Sequence, residues 1–203
     1  MIIDEKTYRL KENNYILNES IKKQIVIGNT FNRDMRHFIG WEKRYNGDYK
    51  KTSAFTIDYN GNIYKHFEPV YQSNFFNNLE QDSKSIVILL ENLGHLEFNQ
   101  SKNNFITFFG DIYNKPNHII EKKWRGYKFW TKYSEEQFES CVKLVNMLCD
   151  EFFIPKNVIS HNTKLDNLID FKGVLYKSNL EKYYTDITPA WEFEKFKNNL
   201  EII

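Results

Sequence analysis

The chain has 203 residues, room for one domain with a sizeable core. Its 28 Lys and Arg against 27 Asp and Glu leave a net charge of +1, so no global field favours nucleic acid or an anionic membrane surface. No run approaches the roughly 20 apolar residues that span a bilayer, and MIIDEKTYRL opens with acidic residues rather than a signal-peptide core; a soluble chain without an export signal is expected.

In chain order, QIVIGNT (24–30) reads as a short buried strand, β-branched and closed by a Gly-Asn turn. Residues 33–43 place Met35, Phe38, Ile39 and Trp41 at helical spacing. SAFTIDYNGNIYKHF (53–67) predicts a hairpin, with Asn60-Gly61 as a two-residue type I′ turn. SIVILLEN (85–92) is a second buried strand, 95–104 reads as a loop, and NFITFFGDIY (104–113) as a further strand. Ser134 with Gln137 forms a capping box for a helix whose buried face runs from Phe138 through Cys141, Val145 and Leu148 to Phe152, ending before Pro155. A short strand, VIS (158–160), and a closing helix, AWEFEKF (190–196), complete the pattern. This order predicts an α/β class single domain with a mixed central β-sheet flanked by helices.

Cys141 and Cys149 lie roughly 12 Å apart on one helix, beyond disulfide reach, and are expected to be small buried hydrophobes. Aromatic residues make up 17% of the chain, enough to supply a binding face as well as a core. Tyr45, Tyr49, Trp124, Tyr127, Trp130, Tyr133 and Tyr176 fall in expected loops, where each is either an anchor of such a face or packing beneath the loop, packing being favoured singly. KKWRGYKFWTKY (122–133) reads as a solvated connector, or as a stacking cluster for sugars or bases.

Several motifs in this order resemble the zinc-dependent N-acetylmuramoyl-L-alanine amidases, the fold of the peptidoglycan recognition proteins. IVIGNT is similar to the family's IVIHHT, SAFTIDYNGNIY to SYHFVIDRDGTIY, and SIVILLENLG to SIGIELENAG. IPKNVISHNT follows the capped helix as the family's second His motif does. FKGVLYKSNLEKYYTDITPAWEFEKF (171–196) resembles the C-terminal region of phage-type amidases. The resemblance spans about 24–196 of a single 1–203 domain and is weakest over an insertion at about 95–133. It implies a zinc site formed by position 28, His161 and Asp186. Position 28, however, is Gly, without a ligand. Other positions to which the resemblance assigns catalysis hold Ser53 (oxyanion Tyr), Leu89 (proton-shuttling Glu) and Tyr184 (Lys near the third ligand). These agreeing losses point to an amidase-like domain whose zinc site is degenerate.

For His161 the ordinary reading is a polar residue bonded to backbone or to Asp186; for Asp186 it is an Asx-turn, and both stand beside the remnant-ligand reading. His37, His66, His95 and His118 are weighed as substitute ligands, with the surface reading favoured. The expectation is a binding module with no cofactor, using Asn29, Ser53, His161, Tyr184 and Asp186 to hold a peptidoglycan fragment or facing a protein partner. Its expected location is the host cytoplasm or a phage particle. The alternatives are an active zinc-dependent amidase cleaving the lactyl-L-alanine amide, and a structural subunit of a phage particle. Partial zinc binding by a Gly28→His chain would indicate that His161 and Asp186 remain placed as ligands.

Overall fold

The computed structural model describes residues 1–43, 52–76, 78–180 and 182–201. Along the chain run β1 (Ile3–Asp4), β2 (Gln24–Asn29), α1 (Arg36–Lys43), β3 (Phe55–Ile57), β4 (Ile63–Lys65), α2 (Leu79–Lys84) and β5 (Ser85–Leu90). Then follow β6 (His95–Asn99), β7 (Asn104–Thr107), β8 (Ile112–Tyr113), β9 (Ile119–Trp124), β10 (Tyr127–Thr131), α3 (Glu135–Glu151), β11 (Gly173–Tyr176) and α4 (Phe193–Glu201).

Every residue of β2 and of β5 is buried, as expected for parallel strands covered on both faces. They pair with each other in the centre of a mixed sheet of order β1-β4-β3-β5-β2-β11. The expected α/β single-domain class therefore holds. VIS contributes only an isolated bridge, Val158 to Val174, and the outer strand is instead β11, parallel to β2. The β3–β4 turn is not the expected type I′ form. Gly61 alone enters the left-handed region, with φ 83°, while Asp58 Oδ1 accepts from the backbone N–H groups of Asn60 (2.9 Å) and Asn62 (2.8 Å).

Helix α1 begins three residues later than its apolar spacing suggests, because Asp34 and Met35 both carry positive φ. Helix α3 has the expected cap: Ser134 Oγ accepts from Gln137 N at 3.1 Å. The box is not closed, since Gln137 Nε2 donates instead to the carbonyls of Ile57 (2.9 Å), Asp58 (3.1 Å) and Glu91 (3.2 Å), tying the helix start to β3 and β5. Ser134 Oγ also donates to the Tyr59 carbonyl. Ser134→Ala is therefore expected to lower stability by about 1–2 kcal/mol in urea melts, with Ser134→Asp recovering part of the loss. Cys141 and Cys149 are free and buried on this helix, and the closing helix α4 lies at 193–201 rather than 190–196.

The largest departure from expectation is the insertion. Residues 95–104 are not a loop and 122–133 is not a connector: they belong to a second, antiparallel sheet of order β8-β7-β6-β10-β9. Trp130 is wholly buried within it and its Nε1 donates to the Lys122 carbonyl at 2.7 Å. The β9–β10 turn is a two-residue one in which Arg125 (φ 46°) and Gly126 (φ 87°) are both left-handed. Tyr45 and Tyr49 lie outside the described residues.

Candidate functional site

The site lies at the C-terminal end of β2, which parallel pairing sets between β5 and β11. Gly28 is in register with Leu89. A β-carbon at position 28 would stand 2.9 Å from Asp186 Oδ2, 3.2 Å from Leu89 Cδ2 and 3.4 Å from Lys177 Cδ, so the space beside this glycine is already filled. The Asp186 side chain is 1% exposed and arrives from the loop before α4. Its Oδ2 accepts from Asn29 N at 2.9 Å and lies 3.5 Å from Lys177 Nζ; its Oδ1 is buried without a hydrogen-bond partner. Asp186 is therefore not the Asx-turn residue that local sequence suggests but a long-range acceptor for the end of β2.

Lys177 follows β11 directly, and its side chain is only 15% exposed. Its ammonium also sits 4.5 Å from the ring centre of Tyr184 and 5.4 Å from that of Phe75, an aromatic lining that suits a cation. A second cation comes from the insertion. Arg125, at the tip of the β9–β10 turn, donates to the carbonyls of Ser178 (2.8 Å) and Tyr184. Burial pulls the Arg125 guanidinium down from its usual range, while the Asp186 charge pushes it back up. Asn29 Oδ1 accepts from the Tyr133 hydroxyl at 3.0 Å, and that hydroxyl accepts from Thr188 N at 3.2 Å; burial drives its pKa strongly upward.

His161 stands one step away. Its Nε2 meets the Ile187 carbonyl at 3.1 Å, and since a carbonyl only accepts, Nε2 carries the proton. The ring stacks on Phe193 (3.9 Å between centres) and is covered by Trp124 (4.4 Å), whose Nε1 donates to Asn162 Oδ1 at 2.7 Å. Burial, together with the charges of Arg125 and Lys122, outweighs the Ile187 bond and pushes His161 down to about 4, so it is neutral at pH 7. Ser53 is fully buried and its hydroxyl donates to the Phe55 carbonyl at 2.8 Å.

The other histidines are engaged elsewhere. His66 Nδ1 lies 2.7 Å from the Tyr8 carbonyl and must be protonated, so its Nε2 accepts from Thr56 Oγ1 at 2.8 Å. That leaves the same hydroxyl to accept from His37 Nε2 at 3.0 Å, with His37 Nδ1 buried and unpartnered. His95 stacks on Tyr127 at 3.6 Å, and His118 Nδ1 meets the Tyr59 hydroxyl at 3.0 Å. Among the described residues no three His, Cys, Asp or Glu side chains are grouped to hold a metal ion.

Burial also depresses His37 to about 3 and His66 to about 4. Both stay neutral in the fold but gain a proton on unfolding once pH drops below about 6.5. Their contribution is thus complete above pH 6.5 and is lost as pH falls toward 4 and 3, at about 1.4 kcal/mol per pH unit for each proton taken up. Urea midpoints are expected to fall clearly between pH 7.5 and 5; equal midpoints would show that neither imidazole is buried in neutral form.

The family model of N-acetylmuramoyl-L-alanine amidase matches residues 18–170. The chain belongs to the N-acetylmuramoyl-L-alanine amidase family. No curated protein matches it in sequence. Among solved structures, this amidase-family chain is similar to the endolysin N-acetylmuramoyl-L-alanine amidase LysCS from Clostridium intestinale URNW, at 14% identity over 100% of this chain and 97% of that one, with a TM-score of 0.59. It is also similar to the amidase AmiD from E. coli in complex with an anhydro-muropeptide substrate, at 10% identity over 94% and 60% of the two chains, with a TM-score of 0.57. The catalytic domain of XlyA gives 14% identity over 98% and 99%, with a TM-score of 0.54. At these identities the likeness is one of fold.

Within this amidase-family fold, Gly28, Asn29, Leu89 and Asp186 do come together, with the Tyr184 ring beside them across Lys177. His161 joins through the backbone of Ile187, whereas the Ser53 hydroxyl donates to the Phe55 carbonyl in β3. Lys177, Arg125 and Tyr133 are the members that sequence reasoning does not assign to the site. Lys177 lies in the C-terminal stretch that carries the resemblance but is given no role by it, and Arg125 sits in a segment whose strands are masked by charge. One signal was available for both: a buried carboxylate facing Gly28 needs a cation from somewhere.

Proposed function

We propose that this amidase-family domain has lost zinc hydrolysis and acts by binding, with a peptidoglycan fragment as its target, in a phage-encoded lysis or host-interaction setting. The observation that carries the reading is the pairing of Asp186. Its oxygen is shared between Lys177 Nζ and the Asn29 N–H, and the Lys177 stem runs past the place where the family's first ligand would begin. A zinc ion does not fit these donors. Gly28 offers none, His161 and Asp186 are not grouped with a third ligating side chain among the described residues, and the Asp186 carboxylate already faces two cationic groups that would repel a third. No hydrolytic step is therefore assigned to the site. Family membership supports peptidoglycan as the partner, and the endolysins among the structural neighbours support the phage setting.

Co-sedimentation with purified peptidoglycan, followed by mass spectrometry of the supernatant, tests the proposal. The chain is expected to pellet with the cell wall and to release no stem peptide. Chelator-sensitive release of stem peptide would establish the competing reading, an active amidase; failure to pellet would remove peptidoglycan as the target.

A further inference from the structure

The second sheet, built by the insertion, ends on two unlike edges. On one side β9 presents exposed Glu121, Lys122 and Lys123, charges that keep another strand from pairing there. The other edge is β8, whose two residues, Ile112 and Tyr113, carry no such guard. Thr107 N donates to the Asp111 carbonyl at 2.9 Å, so the alternation of the β7–β8 ladder makes Ile106 and Ile112 a non-hydrogen-bonded pair. The N–H and C=O of Ile112 therefore point away from β7, out of the open edge, and its side chain is 57% exposed.

The turn leading into β8 is fixed yet open to solvent. Gly110, at φ 88°, donates to the Thr107 carbonyl at 2.9 Å, and Asp111 N donates to Thr107 Oγ1 at 3.2 Å. A β-carbon at Gly110 would meet nothing within 4 Å, so the tip stands clear of the rest of the molecule. Phe108 and Phe109 stand on it 60% and 59% exposed, and Phe109 and Ile112 rim a concavity of about 390 Å³. Large apolar side chains left open in this way mark an interaction surface. The charges lining the concavity are Arg33 and Arg36 against Asp34 and Asp111, so the patch has no net sign to draw a polyanion or an anionic bilayer.

We infer that this edge joins a second copy of the chain, β8 to β8 about a two-fold axis at Ile112, so that the two insertions form one continuous sheet. A two-fold contact needs a surface that complements itself. With Ile112 opposite Ile112 of the second copy, the outward N–H and C=O of each exchange two hydrogen bonds. The same register sets the exposed Lys115 opposite the second copy's Phe109 and diagonal to its Asp111, which is 70% exposed and only loosely met by Arg36 at 4.0 Å. The unguarded edge and its apolar rim are covered together. The inference does not depend on peptidoglycan as the target, and it gives the insertion a role: pairing two domains, so that one polymer meets two binding faces.

Sedimentation velocity of the full chain across a micromolar concentration series is the test. A reversible shift from monomer to dimer is expected. Ile112→Lys and Phe109→Asp, both at exposed side chains, should each weaken the dimer about tenfold or more. Lys123→Asp, on the opposite edge, should leave it unchanged. Because Cys141 and Cys149 are buried, an Ile112→Cys chain treated with a short bismaleimide should be cross-linked into dimers, and the natural chain should not. If either charged variant melts below the natural chain, this cross-link decides alone. A monomer at every concentration, a dimer that survives both Ile112→Lys and Phe109→Asp, or a dimer without the Ile112→Cys cross-link would overturn the inference. A monomeric chain that pellets with peptidoglycan would remove the pairing and leave the proposed function standing.

Discussion

Asp186→Ala is expected to be the most damaging single truncation in the site, at about 3–5 kcal/mol in equilibrium unfolding. The carboxylate is buried and accepts the Asn29 N–H, so its removal leaves that donor unpaired and strips Lys177 of its counter-charge in a nearly closed space. Arg125 loses the negative charge it faces as well. The size of the effect comes from the uncompensated cation rather than from the worth of the pair. A Lys177→Met chain should therefore tolerate the loss of Asp186 better than the natural chain does. A double-mutant cycle reads this directly: strong coupling is expected, and additive losses would mean that Lys177 and Asp186 do not act as a pair.

Gly28→His is expected to lose stability and to gain no metal. Overpacking a filled interior costs about 1–3 kcal/mol in ordinary cases, and here even the first added carbon stands 2.9 Å from a carboxylate oxygen that is fixed by a backbone N–H. The imidazole would have to displace Asp186, Lys177 or Leu89 before it could meet a zinc ion. Of the outcomes weighed from sequence, partial zinc binding by this variant is therefore not the one expected. A melting temperature several degrees below that of the natural chain, unchanged by zinc, is the expected result. A variant stabilised by added zinc would show that Asp186 is free to turn back toward a metal.

The central sheet is legible in the sequence because β2 and β5 are unbroken apolar runs, and because the helix that follows the insertion carries its own cap in Ser134. The second sheet is much less legible. β9 reads IIEKKW, and its exposed Glu121, Lys122 and Lys123 are the charges that shield an edge strand from unwanted pairing, yet they hide its strand character. At the site, the family motifs lead to Gly28, His161 and Asp186, and Asn29, which donates to Asp186, sits beside Gly28 in the same motif, while the cations that face Asp186 are given no role by those motifs. Lys177 reaches it because β11 pairs with β2, and Arg125 because a hairpin in the insertion ends over the same loop. Such contacts follow from topology, which local pattern does not encode. The β3–β4 turn shows the same limit at short range: Asn60-Gly61 marks the reversal, but the Asp58 carboxylate selects its form.

The proposed exchange of a metal for a lysine is tested most directly by metal content. The natural chain, equilibrated with excess zinc, desalted and measured by elemental analysis, is expected to retain far less than one zinc per chain and to melt at the same temperature with or without the ion. One tightly held zinc per chain, raising the melting temperature and removable by chelator, would contradict it.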